Sequence, residues 1–137
     1  MTAPLIAAAA IIAGLTLAAL GGWLLTRRSG VLRETGTAAD LGDLGLAAGE
    51  PTVVHFSAPW CGPCVHVRRV VDRVCADLGG VAHVEIDIEA NPAAAHKLSV
   101  LSLPTTLIFD ANGLQLYRAT GVPTAADLRS ALEPLLA

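Results

Sequence analysis

Two cysteines three positions apart, Cys61 and Cys64, are the side chains of this sequence best suited to chemistry. The apolar run at residues 53–56 predicts a buried strand before them, and residues 65–78 predict a helix after them. The pair therefore lies at a strand-to-helix turn, where free backbone N–H groups and the helix dipole favour negative charge. A thiolate at Cys61 is stabilised there, and the thiolate is the species that attacks a disulfide.

Cys64 follows one helical turn after Cys61, close enough to resolve a mixed disulfide. Between them, Pro63 suits the first turn of a helix, where a missing N–H costs little. Gly62 lets the backbone of a partner approach closely. The pattern predicts thiol–disulfide exchange, with the Cys61–Cys64 disulfide as the redox-active group and with no metal or organic cofactor.

The run Trp60-Cys61-Gly62-Pro63-Cys64 resembles the active-site motif of the thioredoxin family, whose reductant members carry the same five residues. Within this motif Trp60, Gly62 and Pro63 are expected to support the two cysteines. The resemblance implies an α/β thioredoxin fold, a mixed central β-sheet flanked by helices, over residues 31–137. It also implies that disulfide-containing proteins are the substrates.

A second segment, Leu103-Pro104-Thr105, resembles the other signature of that family. The resemblance implies that Pro104 follows a cis peptide bond beside the cysteines and that the backbone of Leu103 pairs with an extended substrate. An aliphatic residue at Leu103 matches the thioredoxins, whereas many oxidants of the Dsb type have Thr or Val there. The expected activity is therefore protein-disulfide reduction, with a thioredoxin-reductase-like enzyme or a membrane carrier as the upstream electron donor.

His55 stands six residues before the first cysteine, where thioredoxins usually have a buried Asp that accepts protons from the second cysteine. Counting back from Asn91, the lysine that faces this Asp in the family falls on Glu85. A neighbouring Glu raises the pKa of a histidine. Our hypothesis is that His55 and Glu85 together tune the deprotonation of Cys64. The alternative is a His55 that packs beside the core strand and bonds only to backbone.

The other titratable candidates are expected to be structural. His66, His83 and His96 are predicted at the surface. Cys75 lies about three helical turns beyond Cys64, roughly 16 Å along the axis. Disulfides need Cα atoms within about 7 Å of each other, so Cys75 is expected to be a small apolar residue of the core.

The N-terminal residues 3–25 carry no charged side chain. As a helix they would span roughly 35 Å, enough to cross the hydrocarbon layer and anchor the chain in a lipid bilayer. A cleaved signal peptide is the alternative, although no Lys or Arg precedes the run and the run is long for one. The expected organisation is a transmembrane helix with its juxtamembrane segment, residues 1–30, followed by a thioredoxin-like domain, residues 31–137.

Arg27, Arg28 and Arg33 follow the apolar run, whereas only the α-amino group precedes it as a positive charge. The positive-inside rule therefore favours a cytoplasmic catalytic domain, and the extracytoplasmic side stays open. On the cytoplasmic side the electron donor would be a thioredoxin-reductase-like system. On the other side the protein would resemble the tethered reductants of cytochrome c assembly.

Two other function classes find little support in the composition. The 137 residues have a formal net charge of −3, which does not suggest a nucleic-acid partner. A metal-binding or metal-delivery module that uses Cys61 and Cys64 is the alternative of a different class. However, one CxxC supplies two thiolates, whereas a closed zinc site needs about four ligands, and the sequence has no second CxxC.

Overall fold

The computed structural model describes residues 2–27, 29–35 and 39–137. A long N-terminal helix, α1, covers Thr2–Arg27. The remaining elements follow in chain order: β1 (Arg33–Glu34), a 3-10 helix (Leu41–Leu44), β2 (Thr52–Ser57), α2 (Cys64–Leu78), β3 (Ala82–Asp87), α3 (Pro92–Lys97), β4 (Thr105–Phe109), β5 (Gln115–Thr120), α4 (Ala125–Leu132) and a second 3-10 helix (Glu133–Leu136).

Five strands form one mixed sheet in the order β1-β5-β4-β2-β3. Strands β2 and β3 run parallel and are joined by α2, because a parallel pair needs a crossover connection. The other neighbouring strands are antiparallel. The central strand β2 is buried on both faces, which explains its continuous apolar run. The fold expected from the sequence, a mixed sheet flanked by helices, is confirmed.

Apolar clusters cover the two faces of the sheet. On one face α2 and α4 pack against Val53 and Ile108. On the other, α3 and the first 3-10 helix pack against Val54 and Phe56. Because alternate residues of a strand point to opposite faces, His55 lies on the face that α2 covers.

The sequence predicts three further elements, and the structure has each of them with different bounds. Residues 31–35 predict a short edge strand, and the strand covers Arg33–Glu34. Residues 40–48 predict a weak helix or an irregular loop, and this segment contains a 3-10 helix, which the Asp40 carboxylate caps by accepting the Gly42 N–H at 2.7 Å. Residues 125–136 predict a last helix, but its α-helical part ends at Leu132. Pro134 explains this end because it has no N–H to continue the α-helical hydrogen bonds.

Helix α1 lies outside this core. Its span Ala3–Arg27 has a mean hydropathy of 2.2 and no described residue of it is buried, so it is long and apolar enough to cross a membrane. A signal sequence would have the same features. The Arg27 guanidinium stacks 3.5 Å over the Trp23 ring. Arg28, used in the orientation prediction, lies outside the described residues, and the division at residues 30 and 31 stays a prediction.

Candidate active site

The two cysteines form a disulfide at the end of the sheet where β2 leads into α2, with their Cα atoms 5.5 Å apart. Cys64 is the first residue of α2, and Pro63 occupies the position before it. The turn is closed by backbone hydrogen bonds, since the Cys61 N–H donates to the Ala58 carbonyl at 3.0 Å. The disulfide therefore sits at the positive end of the α2 dipole, an environment that stabilises a thiolate.

The residues of the motif differ in exposure. Trp60 is 67% exposed, whereas Cys61 is 7% and Cys64 only 2% exposed. Gly62 and Pro63 are exposed between the cysteines. The Trp60 indole is held in place, because its Nε1–H donates to the Glu89 carboxylate at 2.9 Å. Of the two cysteines, Cys61 is therefore the more exposed.

Leu103 and Pro104 lie beside the disulfide, joined by a cis peptide bond. Leu103 packs with Ile88 against the small cluster of Ala58, Cys61 and Cys64. Pro104 is buried directly before β4. The structure thus brings Leu103 and Pro104 next to the two cysteines, although Pro104 comes 40 positions after Cys64 in the sequence.

His55 is fully buried in β2 and belongs to a hydrogen-bonded chain of three side chains. Its Nδ1 lies 2.8 Å from Nε2 of His83 on β3. The Nδ1 of His83 lies 2.6 Å from a carboxylate oxygen of Asp72 on α2. The two imidazole planes differ by 25° and their centroids are 4.9 Å apart, which fits an edge-to-edge hydrogen bond. The Asp72 side chain is 60% exposed, so this row of hydrogen-bonded side chains leads from the core to solvent.

These contacts determine which ring nitrogens carry protons. A carboxylate only accepts, so His83 donates to Asp72 from Nδ1, and in this tautomer its Nε2 accepts. His55 must therefore donate from Nδ1, which leaves a lone pair on its Nε2. That nitrogen is buried and has no hydrogen-bond partner among the described residues. It lies 3.6 Å from the Glu85 carboxylate. His55 thus presents the lone pair of Nε2 inside the fold.

Glu85 lies beside His55 but its hydrogen bonds go elsewhere. Its carboxylate accepts from both Arg68 nitrogens Nε and Nη2 and, at 2.7 Å, from the Ser57 hydroxyl. The direct partner of His55 is His83, so the predicted pair of His55 and Glu85 is incomplete. The prediction that His83 is a surface residue is wrong, because its side chain is 13% exposed and bonded at both nitrogens.

The pKa values of this group follow from burial and charge. Burial lowers the pKa of His55 to about 4, against the opposing effect of Glu85. The raising effect predicted for Glu85 is present, but the loss of hydration in the core outweighs the attraction of the carboxylate. The hydrogen bond from Arg68, with a further one from Ser57, lowers the pKa of Glu85 to about 2. At neutral pH the site holds a neutral His55 and an ionised Glu85.

The remaining candidates lie apart from the disulfide. Cys75 packs in the core between α2 and α4 outside any disulfide, and burial raises its pKa to about 11, so its thiol stays protonated. His66 and His96 are exposed. Within residues 2–27, 29–35 and 39–137, no three His, Cys, Asp or Glu side chains are arranged to hold a metal ion.

Two members of the site, Arg68 and Asp72, were not anticipated from the sequence. They lie four residues apart on α2, the spacing at which side chains share one face of a helix. That spacing was a usable signal for a polar face. It did not identify their partners, because the contacts with Glu85 and His83 depend on how α2 crosses β3.

Comparisons with known proteins agree with this geometry. The family model described as Thioredoxin matches residues 43–134. A thioredoxin of Mycolicibacterium smegmatis is 36% identical over 94 residues, which cover 66% of this chain and 83% of that protein. A thioredoxin of Staphylococcus aureus is 33% identical over 82 residues, covering 59% of this chain and 78% of that protein.

Solved structures show the same likeness. Thioredoxin-2, described as a component of malaria parasite protein secretion machinery, superposes with a TM-score of 0.60 at 26% identity and covers 65% of this chain and 86% of that one. A mutant thioredoxin from Halobacterium salinarum has a TM-score of 0.57 at 30% identity, over 64% of this chain and 75% of that one.

Proposed function

This chain belongs to the thioredoxin family, and we propose that it reduces disulfides of protein substrates while α1 tethers it to a membrane. The activity class, thiol–disulfide oxidoreductase, comes with the family and the cysteine pair. The observation that carries the proposal is the Cys61–Cys64 disulfide at the start of α2, next to Leu103 and Pro104. The direction of the reaction, the tether and the residue roles are parts of the proposal.

In the proposed reaction the Cys61 thiolate attacks one sulfur of the substrate disulfide and releases the other as a thiolate. Cys64 then loses its proton and attacks Sγ of Cys61, which closes the Cys61–Cys64 disulfide and releases the second substrate sulfur. Two electrons pass from the protein to the substrate. The released thiolates take up one proton that came from Cys64 and one from solvent.

His55 is the group we assign to the proton of Cys64. The Cys64 sulfur lies 3.9 Å from the carbonyl oxygen of Phe56, the neighbour of His55 in β2. The lone pair on His55 Nε2 accepts this proton only transiently, because burial disfavours the charged ring, and ionised Glu85 at 3.6 Å partly offsets that cost. Since burial favours the neutral ring, His55 then gives the proton up again.

His83 and Asp72 act on this step as positioning residues. By accepting from Nδ1 of His55, His83 keeps the proton off Nε2, and Asp72 holds His83 in the tautomer that can accept. Trp60, Gly62 and Pro63 complete the exposed surface around the cysteines. The pairing of an extended substrate with the backbone of Leu103, next to Pro104, stays a proposal supported by their place beside the disulfide.

The electron donor follows from the side of the membrane on which the domain lies. Arg27 and Arg33, together with Arg28, favour the cytoplasm, where a thioredoxin-reductase-like enzyme would restore the dithiol. On the opposite side a membrane carrier would do so, and the protein would work as a reductant for cytochrome c-type assembly. A reporter enzyme fused after Ala137, active only in the cytoplasm or only outside it, decides between the two.

The function is tested by trapping substrates on Cys61. In Cys64→Ser the resolving thiol is missing, so mixed disulfides between Cys61 and substrate proteins should accumulate in the membrane fraction. The matched control Cys61→Ser keeps Cys64, which is only 2% exposed, and should trap few or none. Equal trapping by both variants, or trapping by neither, contradicts the proposal. Release of the chain from α1 during maturation would contradict the tether alone.

A further inference from the structure

The membrane helix enters the domain through the edge strand β1. This strand pairs antiparallel with β5, with Arg33 opposite Arg118 and Glu34 opposite Tyr117. Because the two strands run in opposite directions, the residues before β1 lie beside the end of β5, at Thr120 and Gly121. The chain that leaves α1 therefore arrives at that end of the sheet.

The same end of the sheet carries the disulfide. Thr120, the last residue of β5, lies opposite Thr105, the first residue of β4. Thr105 in turn lies opposite Phe56, near the end of β2, from which the chain continues into the cysteine motif. The carbonyl of Pro104 accepts the Gly121 N–H at 2.9 Å. Backbone pairing alone thus places the residues that follow α1 and the loop before β4, which contains Leu103 and Pro104, at the same end of the sheet.

Residues 29–32, called the linker below, also pack tightly against this end of the sheet. The Gly30 N–H donates to the carbonyl of Thr120. Both Gly30 and Gly121 have positive φ, +84° and +88°. A Cβ on Gly30 would collide with the Val122 carbonyl, and one on Gly121 would collide with the Ser29 hydroxyl. The absence of side chains at both positions is what allows the close contact.

The number of residues between α1 and Gly30 then limits how far this end of the sheet lies from the bilayer. Gly30 follows the last residue of α1, Arg27, by three positions. A chain spans at most about 3.6 Å per residue, so Gly30 lies within about 11 Å of the helix end. Trp23 and Arg27, stacked at that end of α1, are residue types that favour the membrane interface.

We propose that the linker holds the end of the sheet that carries the Cys61–Cys64 disulfide close to the membrane surface, and that the substrate is a disulfide in a protein embedded in or anchored to the same membrane. The inference rests on the proposed tether and on disulfide reduction. Exposed apolar side chains at this end of the sheet suit such a partner: Trp60 is 67%, Leu101 94% and Val122 37% exposed. A short tether also raises the effective concentration of substrates near the surface.

The test uses the full chain, reduced and reconstituted in phosphatidylcholine vesicles. Three probes carry the same disulfide-cyclised peptide: one joined to a lipid by a short spacer, one joined to a lipid by a long polyethylene glycol spacer, and one free in solution. The variant has 15 Gly/Ser residues inserted directly before Ser29, which would lift the docked domain by roughly 20 Å as a flexible coil. The matched control carries the same 15 residues after Ala137.

We expect the insertion before Ser29 to slow reduction of the short-spacer probe by about tenfold, through lost effective concentration. Reduction of the free peptide should not change, and the control should behave as the original chain with all three probes. An unchanged rate with the short-spacer probe, with normal reduction of the free peptide, overturns this inference and leaves the proposed function intact. Failure to reduce any probe overturns the proposed function as well.

Discussion

The Nδ1 atom of His55 on β2 lies 2.8 Å from the Nε2 atom of His83 on β3. The two imidazoles therefore share a hydrogen bond on the face of the sheet that α2 covers. Asp72 holds the far nitrogen of His83 at 2.6 Å. This relationship leaves Nε2 of His55 as a buried lone pair. The proposed proton transfer from Cys64 depends on this lone pair.

Replacing Asp72 by alanine should slow the closing of the Cys61–Cys64 disulfide without unfolding the domain. The carboxylate is 60% exposed, so its loss leaves no cavity in the core. Without it, His83 is free to change tautomer and to donate to His55, which then carries a proton on Nε2. We expect a loss of about tenfold, below the 10²- to 10⁴-fold typical of a general base, because His55 itself remains. Stopped-flow measurement of single-turnover reduction across pH gives the rate.

The conservative variant separates positioning from a merely structural role. Asp72→Asn keeps an oxygen that accepts from His83 and should retain most of the rate, whereas Asp72→Ala should not. Ring ¹⁵N chemical shifts should show Nδ1 protonated on both His55 and His83 in the original chain. Finding Nε2 of His55 protonated there would contradict the assigned tautomer, whatever the rates are.

The stability of the domain should fall as the pH drops from 6.5 towards 4. Burial lowers the pKa of His55 from 6.5 to about 4, so between these values the unfolded chain binds a proton that the folded chain does not. One pKa unit corresponds to about 1.4 kcal/mol, and His55 is fully buried, so the loss amounts to about 3 kcal/mol. Urea unfolding of a soluble fragment, residues 29–137, at pH 7.5, 5.5 and 4.5 measures it.

The matched control for this pH dependence is His66→Gln, because His66 is exposed on α2. Stability should depend on pH in that variant as in the original fragment. The dependence between pH 6.5 and 4 should flatten in His55→Gln. A second decline, which overlaps the lower end of this window, is expected between pH 4.5 and 2, because the unfolded chain protonates Glu85 near 4.5 whereas its pKa in the folded chain is lowered to about 2. An original fragment equally stable at pH 7.5 and 4.5 would contradict a buried neutral His55.

Arg68 should control the ionisation of Glu85. Its hydrogen bonds are the largest cause of the low pKa of Glu85, so Arg68→Met should raise that pKa towards the ordinary value of 4.5. The adjacent Arg69 is also exposed on α2, and Arg69→Met is the matched control. Carboxyl ¹³C shifts followed by NMR give the pKa. The same shift in both variants would mean that general charge, and not the Arg68 contact, sets it.

Cys75 should contribute to folding and not to redox chemistry. It packs in the core among apolar residues of α2 and α4. Cys75→Ser buries a hydroxyl and should cost about 1–3 kcal/mol of stability, whereas Cys75→Ala should cost less. Denaturant titration measures both, and the reduction rate of a protein disulfide should be unchanged. A loss of activity in folded Cys75→Ala would give this residue a role that its burial does not suggest.

The sequence predicted the parts of the site that depend on local pattern. Cys61, Pro63 and Cys64 lie within one turn, and the continuous apolar run at residues 53–56 and the helical spacing of apolar residues at 65–78 predict β2 and α2 around them. Leu103 and Pro104 came from a second local motif. Their meeting with the cysteines follows once the strands are ordered, because β4 pairs with β2 in antiparallel register.

The group of His55, Asp72 and His83 was only partly predictable, because its members come from three elements. His55, Asp72 and His83 have no shared spacing in the sequence. Their contact depends on the parallel pairing of β2 with β3 and on the path of α2 across them. The net direction of the His55 pKa shift was not predictable for a related reason: the neighbouring charge of Glu85 is visible in the sequence, whereas complete burial depends on the whole sheet.

The entry of the linker was not predicted either. Residues 31–35 were expected to form an edge strand, but which edge of the sheet they join is a tertiary property. Two glycines far apart in sequence, Gly30 and Gly121, make that docking possible through their positive φ values. The sequence around either glycine does not show that the two lie in contact.

The reduction potential of the Cys61–Cys64 couple tests most directly whether this protein is a reductant. It is measured on the full chain in vesicles, carrying Cys75→Ala, by equilibration with glutathione buffers and alkylation of free thiols. A value near −270 mV, about that of thioredoxin, is the result predicted here. A value near −120 mV, about that of a strong disulfide donor, would contradict the proposed direction of electron flow.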